Sequence, residues 1–328
     1  MKAFAYVGAT TPQEALAALD PERGRALPLA GGQDLLALMK DYIVSPERVV
    51  NVKALPTTIA VPVGPSADYV VLGAAARLAD VAAHEALRTA LPALAQAAAE
   101  VGTPQIRNAG TVGGNLCQRP RCWYFRNEEF QCRKKGGAQC FAEDGENQFH
   151  AIFGNEGRCH IVHPSSLAVP LLAYEATLRV LGPGGERDVT AERFFVMPDR
   201  AMYAENVLEP NELVTEVRVP LRAGMKSATY EVRYKQAFDW PIAFATAVLA
   251  LDGDRVRSAR IVMGAVAPVP WRSVAAERAL AGKPVTEAVA AAAAQAAVAE
   301  AKPMSGNAYK VQVARTAVKR AILKAAQG

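Results

Sequence analysis

The chain has 328 residues, 51% of them hydrophobic and 21% charged, the proportions of a soluble globular protein long enough for two or three domains. Its net charge of +5, from 37 basic and 32 acidic residues, is too small a surplus for a nucleic-acid binder. No uncharged apolar run is long enough to span a membrane, and the opening MKAFAYVGATTPQEALAAL lacks the pattern of a signal peptide.

FAYVGA alternates like a strand, and Thr11, Pro12 and Glu14 form a capping box that opens a helix running to about Leu19. ALPLAGG reads as a short strand ending in paired glycines, and QDLLALMKDY follows with helical spacing. RVVNV and DYVVLGAAA are strands, and the alanine-rich residues 79–99 are one or two helices. Beyond a cysteine-rich stretch, PSSLAVPLLAYEATLRVLG reads as a helix running into a strand, GPGGER as a hairpin turn and ELVTEVRVPL as a strand. From about residue 222, ATYEVRYKQAF and FATAVLALDGDRVRSARIVMGAVAP give three strands, two joined by Asp-Gly-Asp, and two helices close the chain. A domain boundary is expected within residues 221–227.

Two glycine-rich stretches stand out. LAGGQDLL places glycines between a strand and a helix, where backbone N–H groups can approach an anion, although the G-x-G-x-x-G spacing of a Rossmann site is absent. QIRNAGTVGGNL, residues 105–116, combines Gly110, Gly113 and Gly114 with the short donors and acceptors of Thr111 and Asn115. Each alone is a plain turn cluster; together in one domain they point to a large phosphate-bearing cofactor.

Five cysteines without a signal sequence argue against a disulfide framework. Cys122, Cys132, Cys140 and Cys159 are spaced C-x9-C-x7-C-x18-C, without the close pairs of zinc modules or the close runs of ferredoxins. Thiolates exclude magnesium and calcium but leave zinc and an iron–sulfur cluster both open. The stretch holds little apolar material, so a metal at its centre would supply stability it otherwise lacks.

In order and distance, LAGGQDLL, QIRNAGTVGGNL, HPSSLAVPLLA, FDWPIAFATAVLAL and GAVAPVPWR resemble the flavin subunit of the molybdenum hydroxylases. That family includes xanthine dehydrogenase, carbon monoxide dehydrogenase and bacterial aldehyde oxidoreductases, and the resemblance covers nearly the whole chain. It implies an α+β fold: a PCMH-type FAD-binding domain of two α+β subdomains over residues 1–221, then a C-terminal domain over 222–328 with a three-stranded antiparallel sheet and helices. By position, Leu29, Ala30, Gly31, Gly32, Gln33, Asp34, Leu35 and Leu36 would wrap the FAD pyrophosphate, and Thr111, Gly113, Gly114 and Asn115 would line the cofactor. Ser166 stands in Ser165-Ser166-Leu167 where the family has Ser-Asp-Leu, which removes a carboxylate; Lys235, on the first strand of the C-terminal domain, would approach the flavin.

The cysteine stretch, about residues 117–160, is an insertion relative to most members. RCWYFRNEEFQC and GENQFHAIFGN resemble the insert of the flavin subunits of 4-hydroxybenzoyl-CoA reductase and, more closely, of periplasmic aldehyde oxidoreductases, which implies a [4Fe-4S] cluster on Cys122, Cys132, Cys140 and Cys159. Cys117, near enough to Cys122 to exchange roles, is read as a packed thiol. Trp123, Tyr124 and Phe125 are expected to pack the insert against the FAD domain. Arg133, Lys134 and Lys135 are expected as exposed loop cations, His150, His160 and His163 as structural histidines, and Lys310, Arg315, Lys319, Arg320 and Lys324 as a solvated helix face.

No nucleophile with its base and no carboxylate pair is evident, which points to electron transfer with bond-making left to a partner. The resemblance implies a heterotrimer with a molybdenum-cofactor large subunit and a [2Fe-2S] small subunit, oxidising aldehydes and passing electrons through FAD to an external acceptor. The alternatives are the flavin subunit of a xanthine dehydrogenase or acyl-CoA reductase type complex, a stand-alone flavin oxidase, and a zinc-stabilised non-redox interaction module. Location is cytoplasmic, or periplasmic by export with a signal-bearing partner.

Overall fold

The computed structural model describes residues 1–64 and 68–328, arranged around three sheets. The first sheet is parallel: β1 (Ala5–Gly8), β2 (Ala26–Leu29) and β3 (Arg48–Asn51), in the order β1-β3-β2. Its crossovers carry α1 (Pro12–Ala17) and α2 (Leu35–Lys40). Thr11 caps α1, accepting from the Glu14 N–H at 3.1 Å, but the Glu14 carboxylate returns to the N–H of Thr10 at 2.8 Å rather than to the cap residue. The helix stops at Ala17, short of Leu19.

The second sheet is antiparallel, in the order β4-β5-β8-β6-β7: β4 (Ile59–Ala60), β5 (Tyr69–Gly73), β6 (Thr177–Gly182), β7 (Gly185–Thr190) and β8 (Leu213–Pro220). The alanine-rich segment forms three helices, α3 (Leu78–Ala83), α4 (Glu85–Ala90) and α5 (Pro92–Ala99). His84 breaks the first from the second by capping Leu87 N–H with Nδ1 at 3.3 Å, and Pro92, which has no N–H to donate, starts the third. The second glycine stretch is not an open loop: it is two short helices, α6 (Pro104–Ala109) and α7 (Val112–Leu116), capped by Thr103 and Thr111.

The insert follows α7 and holds one turn of helix, α8 (Trp123–Arg126), and a 3-10 turn over Arg133–Lys135. The wholly buried α9 (Ala168–Ala173) and the short α10 (Ala191–Phe194) complete the N-terminal core with Leu72, Leu94, Leu178 and Val217.

The C-terminal sheet has four strands, not three, in the order β12-β11-β10-β9: β9 (Met225–Val232), β10 (Ala243–Asp252), β11 (Arg255–Gly264) and β12 (Trp271–Arg272). The two-residue β12 lies among prolines and is too short for an alternating pattern to reveal. Phe244 and Val248 of β10 pack on the N-terminal core, while Ala245, Ala247 and Leu249 pack on α11 (Val274–Leu280), α12 (Glu287–Ala297) and α13 (Tyr309–Gln327). Burial on both faces explains why β10 reads as a nearly continuous apolar run, interrupted by Thr246. Ala314, Ala317, Val318, Ala321, Ile322 and Ala325 give α13 its buried stripe at helical spacing.

Candidate functional site

The two glycine stretches meet. A Cβ on Gly31 would lie 2.0 Å from the backbone oxygen of Ala109, and one on Gly114 would touch Ala30. Leu29 ends β2, Ala30 to Asp34 form the turn, and Leu35 and Leu36 open α2. Gly32 sits at φ +72, a conformation in which an L side chain is strained. Among the described residues no acceptor takes the backbone N–H groups of Gly31, Gly32, Gln33 or Asp34. Four consecutive unpaired donors in a half-buried turn form a cradle suited to a phosphate group. The residues present therefore fit the pyrophosphate of FAD.

The second stretch is already occupied with its own structure. Thr111 accepts from Gly114 N–H at 3.1 Å, Gly113 N–H donates to Ala74 O at 2.8 Å, and Asn115 Oδ1 accepts from Ser165 Oγ at 2.6 Å. Ser165 in turn accepts from Ala168 N–H at 3.1 Å, and Ser166 is buried beside it. Lys235 is exposed in the connection after β9 rather than on that strand, its N–H donating to Asp239 Oδ2 at 3.3 Å.

Cys122, Cys132, Cys140 and Cys159 line one cavity, together with His150, His160, Phe141 and Lys134. Cys117 is not among its walls and packs against the FAD-domain core. Burial pushes the Cys122 thiol up to about 12 and Cys159 to about 11, the latter against the pull of Lys134, so as free thiols both stay neutral. No three of the four sulfurs lie within 4.8 Å of one another among the described residues, whereas the donors of Cys140, Glu143 and His160 do. His150 Nε2 lies 3.3 Å from Cys122 Sγ, and burial, with Lys310 behind it, draws its pKa down to about 4. His163 is drawn to about 3, by burial first and then by Lys134.

Two cations expected at the surface are buried. Lys134 pairs with the buried Glu205 at 2.8 Å, and Arg119 reaches the same carboxylate at 2.6 Å. Lys310 is 1% exposed, and its ammonium donates to the carbonyls of Phe149, His150 and Ala265 at 2.9, 2.9 and 2.7 Å with no carboxylate at hand. Spacing along α13 did not reveal this, because Lys310 lies in the first turn, where the helix meets the insert. Of the aromatic run, Phe125 packs on Leu38 of α2 as expected, while Trp123 and Tyr124 turn inward onto Phe149, Phe130 and Phe141.

Asp34 joins the two regions. It stands at the N-cap of α2, where an aspartate ordinarily accepts from its own helix, yet it makes no such bond. Its carboxylate instead takes Arg126 at 2.6 Å, Arg121 at 3.0 Å and the Arg119 N–H at 2.8 Å. Burial draws Arg121 down to about 10 despite Asp34 beside it, and its guanidinium lies 4.8 Å from the Trp240 ring. This clamp was missed from sequence; its only trace along the chain is three arginines within residues 119–126, which do not name Asp34.

The fold and the paired loops are those of a flavoprotein domain, and comparison with known proteins gives the class. The model for the FAD binding domain in molybdopterin dehydrogenase matches residues 2–222, and that for the CO dehydrogenase flavoprotein C-terminal domain matches residues 228–325. The chain belongs to the FAD-binding medium subunits of the molybdenum hydroxylase family. It is 34% identical to the aldehyde oxidoreductase FAD-binding subunit PaoB of Escherichia coli K12, over 84% of this chain and 86% of that one. It is 31% identical to the carbon monoxide dehydrogenase medium chain of Hydrogenophaga pseudoflava, over 97% and 96%. The solved carbon monoxide dehydrogenase of that organism, in a form lacking the Mo-pyranopterin moiety, superposes with a TM-score of 0.76 at 31% identity, covering 99% of this chain and 97% of that one. Quinoline 2-oxidoreductase of Pseudomonas putida 86 gives 0.75 at 26% identity, covering 100% and 99%. Among the described residues no helix is long and apolar enough to cross a membrane.

Proposed function

We propose that this chain is the FAD- and [4Fe-4S]-binding electron-transfer subunit of a heterotrimeric, molybdenum-dependent aldehyde oxidoreductase. Its partners in this reading are a molybdenum-cofactor large subunit, where the aldehyde is oxidised, and a [2Fe-2S] small subunit. The observation that carries the reading is the cavity shared by Cys122, Cys132, Cys140 and Cys159, in a chain similar over most of its length to an aldehyde oxidoreductase FAD-binding subunit.

Bound FAD supplies one- and two-electron chemistry. The chain's own residues position it: the free N–H groups at residues 31–34 would hold the pyrophosphate, with Leu29, Ala30, Leu35 and Leu36 shaping the turn. Thr111, Gly113, Gly114 and Asn115 would set the second wall, backed by Ser166, and the exposed Lys235 would reach the flavin edge. The reading divides the chain into an FAD domain over 1–221 and a C-terminal domain over 222–328.

A zinc-stabilised non-redox module is the second reading, favoured by the close donors of Cys140, Glu143 and His160. A visible spectrum of the purified protein, with iron, zinc and flavin quantified, separates the two. Flavin bands with a broad iron–sulfur shoulder and about four iron per chain support the first; zinc without flavin sinks it. Copurification of partners, with aldehydes assayed against purines, tests the substrate class.

A further inference from the structure

The three arginines or backbone groups that hold Asp34 come from residues 119, 121 and 126, and Cys122 lies between them in the chain. Whatever fixes Cys122 fixes the clamp. Arg126 is locked further by donating to Pro120 O at 2.8 Å and Arg119 O at 2.9 Å, so the segment moves as one piece. On its far side Arg119 meets Glu205, which also holds Lys134 at the cavity wall. Among the described residues four cations, Arg119, Arg121, Arg126 and Lys134, are thus met by two carboxylates, Asp34 and Glu205. An anionic thiolate-bound cluster beside them would offset that surplus.

Asp34 belongs to the turn whose N–H groups are free. Released, its carboxylate has two nearby alternatives: to cap its own helix, as aspartates at that position do, or to take the loop donors themselves. Either places a negative charge where a phosphate would sit. Clamped, the carboxylate is neutralised and the donors stay open.

We infer that Asp34 couples the two cofactor sites. Filling the four-cysteine cavity orders Cys122 and the 119–126 clamp, the clamp holds Asp34 off the flavin loop, and flavin binds more tightly. By linkage, bound flavin stabilises the filled cavity to the same extent. The inference rests on the proposed cluster and adds to it a route by which iron status controls flavin retention.

The test measures the flavin dissociation constant of the full-length chain in its complex, by fluorescence, in iron-loaded and chelator-depleted forms, with iron counted in each. The wild type should bind FAD between about five and 150 times more weakly when depleted, the ordinary range of coupling between sites. In Asp34→Asn, and independently in Arg126→Gln, that ratio should fall to about one. Equal affinities in the two wild-type forms, or a ratio that survives both substitutions, overturn the coupling while leaving the cofactor assignment standing. Absence of iron from protein purified with flavin overturns the cluster reading instead.

Discussion

Replacing Gly31 by alanine puts the proposed flavin loop to its most direct trial. The added Cβ would stand 2.0 Å from Ala109 O, where ordinary contact begins at 3.4 Å, so the two loops must part by about 1.4 Å. The opposing atom is backbone and cannot rotate away, which places the cost at the upper end of overpacking penalties, ~3 kcal/mol. If bound flavin needs the two loops in contact while the free chain can let them part, that cost appears as an affinity loss of more than about a hundredfold. Gly24→Ala is the control, because nothing lies within 4 Å of its new Cβ, although its own φ of +89 strains an L side chain. It should cost about 1–2 kcal/mol of stability through backbone strain and leave flavin binding alone. Flavin titration by fluorescence and denaturant melts of both variants decide the matter. A Gly31→Ala protein with wild-type stability and wild-type flavin affinity would refute the contact between the loops.

Other substitutions probe the insert. Cys132→Ser should strip the iron from the purified protein, whereas Cys117→Ser should keep it, since Cys117 lies outside the cavity; iron analysis checks both. Lys310→Met leaves the carbonyls of Phe149 and Ala265 without donors while His150 O keeps Asn307 Nδ2 at 3.1 Å, so a loss of roughly 2–4 kcal/mol is expected from denaturant midpoints. His163, buried and neutral in the fold with its pKa near 3, becomes charged in the unfolded chain near its ordinary 6.5. The unfolded state therefore binds the extra proton below that pH, and stability should fall as acid is added between about 6.5 and 3, by up to about 1.4 kcal/mol per pH unit. His163→Gln should flatten that slope in pH-dependent melts.

The strands and most helices were legible because their apolar spacing is local: Val49 and Val50, or the stripe from Ala314 to Ala325, declare which face is buried. The two-residue β12 and the split of residues 79–99 into three helices were not, since each depends on a single break such as Pro92 or on pairing across the sheet. The site divided in the same way. The four cysteines that share a cavity, without Cys117, were singled out by the family resemblance and not by their spacing, and the two glycine stretches that meet were visible as such in the sequence. The burial of Lys310 and Lys134 and the turn of Asp34 toward Arg126 depend on partners 160, 71 and 92 positions apart, and no window along the chain contains both members of any pair.

The insert is bonded within itself and also tied to what lies on either side of it. On the flavin side it holds Asp34 and Glu205; on the other, Ile152 N–H pairs with Val266 O at 2.8 Å, Asn147 takes Gly306 N–H at 2.8 Å, and Lys310 gathers its carbonyls. It is therefore not a detachable module. A graft of residues 117–160 onto a relative without them would have to bring Asp34, Glu205, Asn307 and Lys310 as well. Conversely, excising the segment here would strand a buried ammonium and a buried carboxylate in the two lobes it had joined, and the scar would be felt at both ends of the molecule.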